Sequence, residues 1–225
     1  GGVYSLEKRT AKGNVIYAED LVKYFGVDAV RYFCLHEMPF AQDGTITWEL
    51  MIERMNSDLA NTLGNLVNRT IAMTNKYFGG TVSKDYENTA FDQDLEEVIT
   101  KTVAETNEEY KAFKLQNAIN KAWQIVTRAN KYIDETTPWV LAKDENCKAK
   151  LASVMYHLAE ALRVTSNLIA PIMPEVAEKI RVALGIELEF DDMNTLGFGY
   201  KYTNNVVEKI EPLFKRVDLA EELAY

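Results

Sequence analysis

Three stretches of this chain repeat apolar or weakly polar residues at intervals of three and four, and that spacing admits one kind of structure. Met55, Leu59, Leu63, Leu66 and Thr70 form the first series; Leu115, Ala118, Ala122, Ile125, Ala129 and Tyr132 the second; Leu151, Val154, Leu158, Leu162, Thr165 and Leu168 the third. At about 3.6 residues per turn each series falls on a single face, which predicts three long helices with one buried stripe apiece. Their ends are punctuated. Gly79-Gly80 stops the first, Pro138 interrupts after the second, and Pro171 closes the third. Pro174 suits the first turn of a further short helix through Leu184, with Gly185 as its cap. The fold class that follows is mainly α, built around a helical bundle over residues 49–185.

On either side the pattern changes. Ala18 to Phe25 and Asp28 to Glu37 are predicted as short helices separated by Gly26, and Pro39 to Ile46 as a loop with an Asp43-Gly44 turn, together a small subdomain over 15–48. After the bundle, alternation at Ile186, Leu188 and Phe190, a Gly197 to Gly199 turn and the run Val206 to Phe214 predict short extended or hairpin segments, a tail over 186–225 packing back on the bundle.

With 225 residues, 47% of them hydrophobic, the chain can bury one substantial core. No apolar run approaches the roughly 20 residues that span a bilayer. Two cysteines, Cys34 and Cys147, form neither a redox pair nor a disulfide framework, and two histidines cannot build a structural zinc cluster; a reducing, cytoplasmic setting and no membrane partner are expected. The net charge of −9 excludes indiscriminate nucleic-acid binding, which needs clustered Lys and Arg. Charge is nevertheless uneven. Tyr110 to Ile133 holds Lys111, Lys114, Lys121, Arg128 and Lys131 without one acidic residue, and Ala60 to Lys76 is also free of acids.

Catalytic chemistry is not visible. His36 and His157 stand in helical segments without a Cys or Ser partner at a recognisable spacing and read as structural. Adjacent acids such as Glu19-Asp20, Asp191-Asp192 and Glu221-Glu222 make poor acid–base dyads, and no nucleotide-binding glycine loop is present. Binding residues are better placed. Asn61, Asn65 and Arg69, four apart, line one helix face away from Leu59, Leu63 and Leu66. An Asn amide pairs with base edges and Arg stacks on bases or grips phosphate. Trp139, directly after Pro138, is either a core aromatic where two helices join or a stacking platform for an unpaired base.

At these residues the chain resembles the C-terminal half of bacterial methionyl-tRNA synthetase, a class I aminoacyl-tRNA synthetase. The likeness runs through Lys12-Gly-Asn-Val15, Tyr24-Phe-Gly-Val-Asp-Ala-Val-Arg-Tyr32, Phe40-Ala-Gln-Asp-Gly44, Leu63-Gly-Asn-Leu-Val-Asn-Arg69, Asp134 to Lys143 and Glu211-Pro-Leu-Phe-Lys-Arg216. It implies a stem-contact fold near the start and an anticodon-binding bundle of the class I synthetases after it. It further implies that Asn65, Arg69 and Trp139 recognise the CAU anticodon of tRNA(Met), initiator tRNA included. Charge, and not the family motif, adds Lys114, Lys121 and Arg128 as accessory RNA contacts, and the helix face shared with Asn65 and Arg69 adds Asn61.

One segment departs from the family. Where the family carries Lys-Met-Ser-Lys-Ser, an ATP-binding loop, this chain has Glu7-Lys-Arg-Thr-Ala11, so residues 1–14 read as a remnant of the catalytic-loop region or as appended sequence, and no catalytic residue is assigned. The resemblance places ATP with magnesium, and a structural zinc, in the catalytic half of a parent protein, and no cofactor in this chain. Such a fragment is expected to be a monomer that does not aminoacylate alone. A degenerate module serving as a protein-interaction scaffold, without tRNA specificity, is the alternative.

Overall fold

The computed structural model describes residues 22–23, 25–37, 48–186, 196–199, 204–210 and 213–214. The expected Pro39 to Ile46 loop, the Glu7 to Ala11 segment and the alternation at Leu188 and Phe190 lie outside them. Two compact units result, one of Gly1–Gly64 with Pro212–Tyr225 and one of Asn65–Glu211.

In the first unit, Gly26 takes a left-handed φ of +82° and is followed by α1, Val27–Glu37. Helix α2, Trp48–Arg54, leads into a π-helical stretch, Met55–Gly64. Met51, Ile52, Met55 and Leu59 are buried, as are Ala29, Tyr32 and Phe33 of α1. The Tyr32 hydroxyl donates to Asp58 Oδ2 at 2.8 Å. Trp48–Gly64 thus compacts with α1 inside this unit. The uniform α-helix expected from Met55 onward is replaced. In the wider π turn, Thr62 Oγ1 donates to the Ser57 carbonyl five residues back at 2.8 Å, and Gly64 brings no Cβ, which would stand 3.3 Å from the Leu59 carbonyl oxygen.

The second unit is the helical bundle. Its elements are α3 (Asn65–Phe78), β1 (Thr81–Val82), α4 (Asp92–Lys111), α5 (Leu115–Thr136), α6 (Pro138–Leu141), a 3₁₀ turn (Glu145–Cys147), α7 (Lys148–Ile169), α8 (Pro174–Ala183) and β2 (Asn204–Asn205). Helix α7 is the axis: every residue from Leu151 to Ile169 is buried, and α3, α4, α5 and α8 all pack on it. The expected second and third helices are α5 and α7, and the Pro174 helix ends at Gly185 in a left-handed cap with φ +69°. Helix α4 was not among the expected elements.

A central helix buried on all sides must satisfy its polar residues internally. Thr165 Oγ1 and Ser166 Oγ donate to the Ala161 and Arg163 carbonyls at 2.7 and 2.6 Å. His157 is fully enclosed, its Nδ1 2.7 Å from the Ser153 carbonyl and its Nε2 2.8 Å from Glu96 Oε1. Beside it Ser153 Oγ and Tyr132 OH donate to Asp92 at 2.5 and 2.6 Å. Phe198 stacks on the His157 ring at 4.7 Å between centroids. The described part of the tail is fastened here, and its strand pairs with β1: Thr81 faces Asn205 and Val82 faces Asn204, antiparallel. Gly80, at φ +91°, accepts from Val206 N at 2.8 Å, and Val207 N donates to the Ala183 carbonyl at 3.0 Å.

Candidate nucleic-acid interface

Helix α3 sets one side of the interface. Leu66, Val67, Thr70, Ile71 and Thr74 form its buried stripe, and the two threonine hydroxyls are satisfied by carbonyls one turn back, Leu66 O and Thr70 O, both at 2.8 Å. Burying that stripe turns the opposite face outward, and Asn65, Arg69, Ala72 and Lys76 are all exposed along it. An amide, a guanidinium and an ammonium thus stand in one acid-free row.

The other side comes from the link between α5 and α7. Thr137 ends α5 in a left-handed conformation, φ +44°, and its carbonyl accepts from Val140 N at 2.8 Å and Leu141 N at 3.2 Å. Pro138 is buried at the first turn of α6, where its fixed φ suits a helix start. The result is a short, locked turn presenting Trp139 and Val140, 44% and 51% exposed. Of the two sequence readings of Trp139, its exposure speaks against a sealed core aromatic. Both α6 and α3 pack on α7.

The accessory residues fare differently. Asn61 is exposed but belongs to the other compact unit. Lys121 pairs with Glu105 at 3.1 Å. Arg128, with only 12% of its side chain exposed, is held by Asp94 at 2.7 Å and Glu135 at 2.6 Å. Burial opposes its charge, but those two carboxylates outweigh it and raise the guanidinium pKa further. The run Tyr110 to Ile133 is acid-free in sequence but is met in space by Glu105 and Asp94 of α4 and by Glu135 near the end of α5, so the charge-based reading of Lys121 and Arg128 loses its free cations. Lys114 is exposed at the N-terminal end of α5, while Trp139 follows its C-terminal end. The 22 residues of α5 make about 33 Å of helix.

Nothing in the bundle offers catalysis at the histidine. Ser153, His157 and Asp92 meet, yet the serine hydroxyl donates to the carboxylate and all three are sealed from solvent. His36 has no side-chain description. Among the described residues no group of three His, Cys, Asp or Glu is placed to hold a metal ion, and no helix is long and apolar enough to cross a membrane.

Two family models match the chain: class I tRNA synthetases (M) over residues 7–71, and the anticodon-binding domain of tRNA ligase over residues 92–196. A methionine–tRNA ligase from Lactococcus lactis subsp. lactis is 46% identical over 215 residues, covering 96% of this chain and 32% of that protein. One from Oceanobacillus iheyensis is 45% identical over 218 residues with the same coverage, so the chain spans about a third of the length of these curated relatives. In the solved structures, methionyl-tRNA synthetase of Mycobacterium tuberculosis in its apo form matches with a TM-score of 0.78 and 32% identity over 91% of this chain and 41% of that one. Its methionyl-adenylate complex matches at 0.79 and 33%, over 93% and 42%. The family motifs in the sequence, the helical bundle and these likenesses agree: the chain belongs to the methionyl-tRNA synthetase family of class I aminoacyl-tRNA synthetases and carries its anticodon-binding domain.

Proposed function

We propose that this chain supplies anticodon recognition of tRNA(Met), the initiator included, to a methionine–tRNA ligase. The observation that carries the reading is the exposed indole of Trp139 on a turn locked by buried Pro138. A splayed base stacks on that ring, and the Asn65 amide and Arg69 guanidinium read the edges or backbone of its neighbours. In this reading the bases are those of CAU. Lys114 reaches the backbone of the stem, since α5, about 33 Å long, lies between it and Trp139.

The chemistry of the parent, ATP-dependent attachment of methionine with AMP and pyrophosphate released, belongs to its catalytic half, as do ATP with magnesium and any zinc. The residues of this chain bind and orient the tRNA. The chain acts as a monomer in a reducing, cytoplasmic setting, the latter in keeping with its free cysteines Cys34 and Cys147.

The test is a titration of the chain, at two salt concentrations, with an anticodon stem-loop carrying CAU and with the same hairpin changed at one anticodon base. Tighter binding to CAU that weakens with salt but keeps its discrimination is expected, because phosphate contacts depend on salt and base contacts carry the selectivity. Equal or absent binding to both hairpins overturns the proposal in favour of a protein-interaction scaffold.

A further inference from the structure

The exposed row of α3 has two flanks. With Asn65 and Arg69 along its crest, the helical spacing places Asn68 and Asn75 on one flank, two turns apart. Asn75 is fully used: its Nδ2 donates to the Ile71, Val207 and Glu208 carbonyls at 3.0, 2.8 and 3.1 Å. Asn68 is not. The residue is half-buried, and its Oδ1 is closed off from solvent without a hydrogen-bond partner. A carbonyl in that state has lost its hydration with nothing in return, a condition uncommon enough in native proteins to call for an explanation.

Resting on the anticodon reading above, we infer that Asn68 is a further specificity-determining residue of this face, whose carboxamide turns outward when RNA binds and accepts through Oδ1 from the exocyclic amino group of an unstacked cytosine or adenine. An unsatisfied acceptor calls for a donor. In the C-A-U triplet cytosine N4 and adenine N6 are the amino donors, each beside a bare ring nitrogen, while uracil sets its ring N3–H beside carbonyls. The Asn68 Nδ2 donates at the same time to the adjacent ring nitrogen, the paired donor–acceptor geometry by which Asn reads such edges. Since the desolvation of Oδ1 is already complete in the free protein, binding regains a hydrogen bond without that cost.

The experiment compares the full chain with its Asn68→Ala, Asn68→Leu and Trp139→Ala variants. Hairpins carry CAU, UAU or CGU, the last two replacing by a carbonyl the N4 amino group of cytosine or the N6 amino group of adenine. Both Asn68 variants should bind the CAU hairpin about five- to tenfold more weakly, the worth of one such hydrogen bond. That loss should vanish on the one hairpin whose amino group is gone, which identifies the base read. Their Tm should equal or exceed that of the parent, because an unsatisfied buried acceptor has been removed. Unchanged CAU binding by both variants, with binding lost in Trp139→Ala, overturns this inference and leaves the proposed function standing. A parent chain that does not distinguish the hairpins overturns both.

Discussion

The Arg163 guanidinium and the Glu160 carboxylate form an ion pair sealed inside the bundle, Nε to Oε2 at 2.6 Å, with side chains 3% and 0% exposed. Each also grips the tail: Arg163 donates to the Gly197 carbonyl at 2.6 Å, and Glu160 accepts from Gly199 N at 2.6 Å. Replacing one partner strands a buried charge. Arg163→Met is expected to lower stability by about 3–5 kcal/mol, whereas adding Glu160→Leu recovers most of that loss. Urea unfolding of the two variants decides the matter, and a double variant as unstable as the single one would show that the tail contacts, and not the charge, carry the energy.

Asp92 leads to a pH prediction. Burial alone would raise its pKa, but hydrogen bonds from Ser153, Thr89 and Tyr132, with the nearby His157, outweigh burial and hold the carboxyl below its ordinary value. The folded state therefore binds fewer protons at this group than the unfolded chain. The stabilisation is complete above the unfolded value of about 3.9 and is lost as pH falls through the folded one. Asp92→Asn should lower stability at neutral pH and flatten its decline below about pH 5. Denaturant midpoints measured from pH 7 to pH 3 test this, and parallel curves for the two proteins would assign the acid sensitivity elsewhere.

Those two networks also mark the limit of what the sequence discloses. Helices α5 and α7 are legible because all but one residue of each stripe is aliphatic, and the Pro174 helix because Pro and Gly bracket it. Helix α4 is not: its buried stripe, Leu95, Ile99, Thr102, Val103 and Thr106, includes two threonines, and Asp92, which would pass for a helix-start acid, is 1% exposed. Its partners Tyr132 and Ser153 lie 40 and 61 residues away, a closure no local pattern announces. For the same reason the acid-free run around Arg128 suggested open cations, while Asp94, brought over by α4, pairs with it. Asn65, Arg69 and Trp139 were legible as residue types at telling spacings, and the structure adds their exposure. Asn68 carries no sequence signal beyond its identity, because an unsatisfied oxygen is a property of packing.

Phe113 sits at the turn between α4 and α5 with φ +58° and 89% exposure. A left-handed conformation costs an L-residue about 1–2 kcal/mol, and so exposed a ring recovers almost none of it by burial. Phe113→Gly is expected to raise stability by about 0.5–1 kcal/mol after the added chain entropy of glycine. A higher urea midpoint with an unchanged slope is the supporting result. A drop would mean that the ring contributes packing that its exposure does not reveal.

Trp139 separates recognition from folding. Its neighbours Pro138 and Thr137 build the turn through backbone geometry and the Thr137 carbonyl, so the indole, 44% exposed, is not what holds α6 in place. Trp139→Ala should then weaken binding to a CAU hairpin by about 1–3 kcal/mol, the worth of one base–aromatic stack. Stability should change far less than the 3–5 kcal/mol typical of a buried Trp truncation. Trp139→Phe, which keeps an aromatic face of smaller area, should recover part of the affinity, whereas Trp139→Leu, apolar without a π face, should not. The order Trp, Phe, then Leu with Ala in hairpin affinity, at nearly constant Tm, would identify stacking as the interaction. Equal affinity for Phe and Leu would instead assign the contact to apolar area alone.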